Sequence, residues 1–91
     1  MVFEWDNEKA ERNKEKHGIS FSEAATVFGD LLAMTFSDPD HSVGEHRFLT
    51  FGTTATGTAV VVVHTDRDDI IRIISTRTMT RREKVMYEEG N

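Results

Sequence analysis

Thr58-Ala59-Val60-Val61-Val62-Val63-His64-Thr65, then Asp66-Arg67-Asp68-Asp69, then Ile70-Ile71-Arg72-Ile73-Ile74-Ser75-Thr76: this stretch decides the fold. The first run is continuously apolar and β-branched, which predicts a strand buried on both faces and therefore central in a sheet. The charged tetrapeptide reads as a turn, and the second run as the returning strand. Upstream, Arg47 to Gly52 is the next strand, joined to the central one by a loose hairpin tip over Thr53 to Gly57. Leu31 to Phe36 is a further strand, followed by the turn cluster Ser37-Asp38-Pro39-Asp40 and a polar loop through His46. Such tight connections favour an antiparallel four-stranded meander.

Helices flank this sheet. Phe3-Glu4-Trp5 forms a short strand or extended arm, and Asp6 caps a helix from Asn7 to His17 that Gly18 stops. Lys9, Arg12, Asn13 and Lys16 fall on one stripe of it, Glu8, Glu11 and Glu15 on another, and only Ala10 is apolar. A helix without an apolar face is expected to lie loosely on the surface or meet something charged. Ser20 and Glu23 form a capping box with Ile19 as staple, and Phe21, Ala24, Ala25 and Phe28 give one apolar stripe ending at Gly29. Thr80 and Glu83 cap a last helix to about Glu89. The expectation is a single α+β domain over residues 1–91: a four-stranded antiparallel sheet plus a short N-terminal strand, two N-terminal helices and one C-terminal helix.

Composition narrows the function. With 91 residues, 37% of them hydrophobic and 30% charged, the chain is too apolar for disorder. It has no cysteine, which excludes disulfides, thiolate zinc sites and cysteine nucleophiles and suits a reducing cytoplasm. The longest apolar run, Ala59 to Val63, is far below the ~20 residues of a membrane span. Met1-Val2-Phe3-Glu4-Trp5 has neither basic n-region nor apolar h-region, so no signal peptide is expected. The net charge of −5 runs against the usual basic footprint of a nucleic-acid binder. Cations are nevertheless clustered: Lys9, Arg12, Lys14 and Lys16 in one segment, Arg72, Arg77, Arg81, Arg82 and Lys84 in another. Two basic patches on an acidic body suit local phosphate binding, although most such clusters are solvated helix faces.

Three groups of residues carry potential chemistry. Arg72 interrupts an apolar strand, where a guanidinium must be paired, for instance with Glu45, or open into a cleft. Arg77, five positions on, falls on the opposite face unless the strand bulges; a kink near Ser75 lets both arginines reach one phosphate. The loop Asp38-x-x-His41-Ser42-x-x-Glu45-x-Arg47 gathers acid, imidazole and guanidinium. RNA cleavage by the 2′-hydroxyl needs a base, positive charge on the phosphorane and an acid for the leaving oxygen. His41 or Glu45 can transfer protons and Arg47 can supply charge; the plainer reading is a polar turn. Lys16-His17-Gly18 places cations at a helix C-terminus, which the helix dipole already favours. His64 reads as a satisfied core or rim histidine. No spacing matches a metal site, and there is no Gly-rich phosphate loop or nucleophile elbow.

In combination these segments resemble the BrnT family of type II toxins. The resemblance rests on Phe3-Glu4-Trp5-Asp6 with Lys16-His17-Gly18, on Phe21-x-Glu23-Ala24 through Val27-Phe28-x-Asp30, on the Asp38 to Arg47 loop, and on Arg72-Ile73-Ile74-Ser75-x-Arg77 with Arg82-Glu83 and Tyr87. It implies a RelE-like fold with a curved antiparallel sheet, and a metal-independent endoribonuclease that inhibits translation and needs no cofactor. It further implies RNA as substrate and a ribbon-helix-helix, BrnA-like antitoxin that neutralises the toxin, with a heterotetramer around a dimeric antitoxin. Operator DNA is then reached only through the antitoxin, and no membrane is involved. The family's polar positions fall on Lys16, His17, Asp38, His41, Glu45, Arg47, Arg72, Ser75, Arg77 and Tyr87. On that basis Arg72, Arg77, Glu45, His41 and Arg47 are the expected catalytic residues, and Lys16, His17, Arg81 and Tyr87 the expected RNA contacts. Two departures stand out: the hairpin tip Thr53 to Thr58 has no cation, and Thr78 stands where a lysine is common. They motivate an alternative, a catalytically weakened homologue acting as a non-catalytic antitoxin-binding co-repressor.

Overall fold

A computed structural model describes residues 1–38, 40 and 44–90. The elements are β1 (Val2–Glu4), α1 (Asn7–His17), α2 (Phe21–Ala25), a 3₁₀ turn (Thr26–Gly29), β2 (Met34–Ser37), β3 (Phe48–Thr53), β4 (Ala59–Arg67), β5 (Ile70–Thr78) and α3 (Arg81–Glu89). The strands form one sheet in the order β1-β5-β4-β3-β2. β2 to β5 are the antiparallel meander, with β4 at the centre. The N-terminal strand is a full member of the sheet: β1 pairs parallel with β5, Glu4 opposite Arg72. The sheet is therefore five-stranded and mixed, which corrects the four-stranded antiparallel expectation. A crossover through both N-terminal helices and three strands is what permits that parallel pairing.

One sheet face carries α1 and α2. Ile19, Phe21, Ala24, Val27, Val60, Val62 and Ile73 form its core, with Phe3, Trp5 and Phe28 packed around them. The opposite face is only partly covered, by α3, where Tyr87 packs on Phe51 and Val61 beside Met34, Leu49 and Met79. Face membership follows strand alternation.

The helix caps form as expected. The Asp6 carboxylate accepts from the Glu8 and Lys9 amides, Gly18 ends α1 at φ 74°, and the Thr80–Glu83 box closes in both directions. At Ser20 only half the box forms. Its hydroxyl accepts from the Glu23 amide, while the Glu23 carboxylate turns outward to the hydroxyls of Thr54 and Thr56. That clasp anchors the β3–β4 tip, which is thus tied down rather than loose.

α1 is also tied down. Asn13 is 8% exposed; its Oδ1 accepts from the Thr76 amide and its Nδ2 donates to the Ile19 carbonyl. One amide side chain replaces the missing apolar face, satisfying buried backbone groups that water cannot reach. Leu31 and Leu32, expected in a strand, sit in an exposed turn before β2, with the Leu32 amide bonded to Asp30. At Gly52 a Cβ would lie 3.1 Å from Val27 Cβ and 3.3 Å from Asp30 Oδ2, so the 3₁₀ turn packs directly on the backbone there.

Candidate active site

A β-bulge in β5 sets the geometry of the candidate site. Val63 pairs with Ser75 but His64 pairs with Ile73, so Ile74 is an extra residue on β5. The bulge resets the alternation. Arg72 and Arg77, five apart and destined for opposite faces in a regular strand, now lie on the same face, with Ser75 between them. Their partners Thr65, Val63 and Val61 are the odd-numbered residues of β4 on that side. This is the face that α3 covers only in part.

Arg72 stands at the open end of this face. Its side chain is 45% exposed, and Nη1 lies 3.4 Å from Glu4 Oε1. The guanidinium is not buried, and its carboxylate partner is Glu4 rather than Glu45. Around it a groove of about 510 Å³ is lined by Glu4, Glu45, His46, Thr65, Arg67 and Arg72, among others. Glu45 enters it from the segment before β3, and Arg47 Nε lies 3.9 Å from Glu45 Oε1.

Arg77 is differently placed. It donates from both Nη atoms to Glu83 of α3, at 2.7 and 2.9 Å. The hydrogen bond from Arg77 chiefly holds the Glu83 carboxyl at about 2, and Glu83 in turn raises Arg77. Arg77 therefore secures α3 to the sheet and does not line the groove.

The other expected residues scatter. Lys16 and His17 are exposed at the end of α1, on the helix layer across the sheet from the groove. Arg81 is exposed at the start of α3. The Tyr87 ring is buried against Phe51 and Val61, and its hydroxyl donates to Asp30 Oδ2. Burial and that bond raise Tyr87. Burial alone would raise Asp30 too, but the Tyr87, Thr53 and Leu32 donors outweigh it and its carboxyl is lowered. His41 lies outside the described residues. The structure thus brings Arg72, Glu45 and Arg47 to one end of one face, and leaves Lys16, His17, Arg81 and Tyr87 elsewhere.

His64 is a core residue. Nε2 meets Thr50 Oγ1 and Nδ1 meets Asp66 Oδ1, both at 2.7 Å, with Phe28 edge-on and Phe48 stacked on the ring. Burial lowers its pKa against the opposing pull of Asp66. Among the described residues no cluster of three metal-ligating side chains occurs, and no helix is long and apolar enough to cross a membrane.

Sequence reasoning missed the groove positions of Arg67 and Glu4. Arg67 looked like part of a charged turn, but β4 extends through it. Glu4 looked like part of a terminal arm; only the parallel register beside Arg72 gives it a place.

A mixed sheet with helices on both faces and an arginine-bearing polar groove on its half-open face defines a class of small protein. Comparison supplies the class: a family model described as "Ribonuclease toxin, BrnT, of type II toxin-antitoxin system" matches residues 5–83. The chain belongs to the BrnT family. Its fold is similar to that of the crystal structure of the Brucella abortus ribonuclease toxin, BrnT, with a TM-score of 0.67 and 20% sequence identity. That alignment covers 89% of this chain and all of the Brucella chain. No curated protein matches. Membership in a type II toxin family implies an antitoxin as partner.

Proposed function

We propose that this protein is an endoribonuclease toxin that cuts RNA without a metal cofactor, inhibits translation in the cytoplasm and is neutralised by its antitoxin. The observation that carries this reading is Arg72, half-exposed on the open face with Glu45 in the same groove. The 2′-oxygen attacks phosphorus as the Glu45 carboxylate takes its proton. The P–O5′ bond breaks as the leaving oxygen takes a proton from a solvent water, and Glu45 returns the proton it accepted to solvent, so that proton gain and loss balance. Products are a 2′,3′-cyclic phosphate and a 5′-hydroxyl. Arg72 binds the phosphoryl oxygens as charge builds on them, the largest kind of contribution a guanidinium makes. Arg47 orients Glu45, and His41 is the second proton-transfer candidate. Lys16, His17 and Arg81 remain proposed RNA contacts beyond the groove. The antitoxin is proposed to be a BrnA-like ribbon-helix-helix protein that forms a heterotetramer through its own dimer and carries the complex to operator DNA.

A second reading, a non-catalytic antitoxin-binding co-repressor, is favoured by one pair of observations. Arg77 is committed to Glu83, and the groove sets the carboxylates of Glu4, Glu45 and Asp66 against two arginines. Expression in a bacterium with and without the antitoxin separates the two. Growth arrest relieved by the antitoxin supports the toxin; unhindered growth with retained antitoxin binding supports the co-repressor.

A further inference from the structure

We propose that Arg67 is the second phosphate-binding cation of the groove, forming with Arg72 a two-guanidinium clamp for the phosphodiester backbone of single-stranded RNA. The inference rests on the ribonuclease reading and names a residue which that reading does not use. Register places the pair. Arg67 pairs with Ile70 and Arg72 with Thr65, all four on the open face, so the two arginines are diagonal neighbours across the β4–β5 ladder. Diagonal positions are about 7–8 Å apart, within reach of side chains as long as arginine. Both line the same groove.

Charge bookkeeping singles Arg67 out. Arg72 is ion-paired with Glu4 and Glu45 with Arg47, while the Asp66 carboxylate, in register with Ile71 on the other sheet face, is hydrogen-bonded to the neutral His64 ring. Among the described residues Arg67 is an exposed cation with no ion pair, set diagonally from a like charge. Two neighbouring guanidiniums repel until an anion comes between them. A phosphodiester supplies that anion, and the planar fork of arginine matches its oxygens two at a time. Arg67 thereby takes the place expected of Arg77, which is occupied in holding α3.

The test measures binding of a single-stranded oligoribonucleotide, 2′-O-methylated so that it is not cut, across a series of salt concentrations. Wild type, Arg67→Ala, Arg67→Lys and Lys14→Ala are compared, the last removing one exposed charge from α1 on the other sheet face. Thermal melts establish that each variant is folded. Arg67→Ala is expected to weaken binding about tenfold at low salt. It also flattens the plot of log affinity against log salt by about 0.7, one phosphate contact on a single strand. Arg67→Lys keeps the slope but recovers affinity only in part, and Lys14→Ala matches wild type. Wild-type slope and affinity in folded Arg67→Ala, or equal losses in Arg67→Ala and Lys14→Ala, overturn the clamp and leave the ribonuclease reading standing. Wild type that neither binds this oligonucleotide nor cuts unmodified RNA takes down both.

Discussion

Arg77 of β5 grips Glu83 of α3 with two parallel hydrogen bonds, 2.7 and 2.9 Å long, while the same carboxylate also accepts from the Thr80 amide. Helix cap and sheet anchor thus share one side chain. Glu83 titrates at about 2 in the folded protein against an ordinary 4.5. Its folded value is depressed, so its stabilisation is complete above about 4.5 and disappears as pH falls toward 2. Arg77 is partly solvated, which screens the pair and limits its contribution to about 1–2 kcal/mol. Urea denaturation of Glu83→Gln is expected to show that loss at neutral pH and a shallower decline on acidification than wild type. An unchanged midpoint at pH 7 contradicts the anchor.

His64 works in the same direction at higher pH. Burial between Phe28 and Phe48 lowers it from the ordinary 6.5, despite Asp66. Below 6.5 the unfolded chain binds a proton that the folded chain resists, so stability falls as pH drops from about 6.5 toward the lower folded value. Denaturation midpoints between pH 7.5 and 5 should decline in wild type and stay flatter in His64→Gln. That variant itself loses about 1–3 kcal/mol, because Thr50 and Asp66 lose a buried partner. A flat wild-type profile rules this assignment out.

The clasp of α1 by Asn13 gives a third expectation. Asn13→Ala strands the Thr76 amide and the Ile19 carbonyl in the core. The cost should be about 1–3 kcal/mol by urea titration, with α1 exchanging its amides faster. A loss below about 0.5 kcal/mol shows that the helix is held by something else.

Leu31 offers the opposite case. It is 99% exposed, so Leu31→Ser should change stability by less than about 0.5 kcal/mol. A larger loss means that this side chain is covered in the folded protein.

These residues mark how far the sequence could be read. Asp6, Gly18, Ser20 and Thr80 act through their immediate neighbours, so local spacing located the helices. The valine run named the central strand because burial on both faces leaves a compositional trace. What stayed hidden depends on partners distant in the chain. Asn13 looks polar and surface-bound until Thr76, 63 residues away, needs an acceptor. Leu31 and Leu32 are apolar yet belong to a turn that Asp30 fixes. The Ile74 bulge leaves no local mark, since isoleucine suits regular and bulged strands alike; the sequence offered a kink near Ser75 only as a condition. That condition decided half the site. The bulge put both arginines on one face, but α3 then claimed Arg77, and the Glu4–Arg72 register could not be read before the parallel pairing was known.

The proposed RNA cleavage turns on Arg72 and the open face around it. Purified protein incubated with RNA in EDTA, followed by analysis of the cleaved ends, tests it most directly. Wild type is expected to leave 2′,3′-cyclic phosphate and 5′-hydroxyl ends, and folded Arg72→Ala to cut about a hundredfold or more slowly. Intact RNA with wild type, or equal cleavage by the variant, contradicts it.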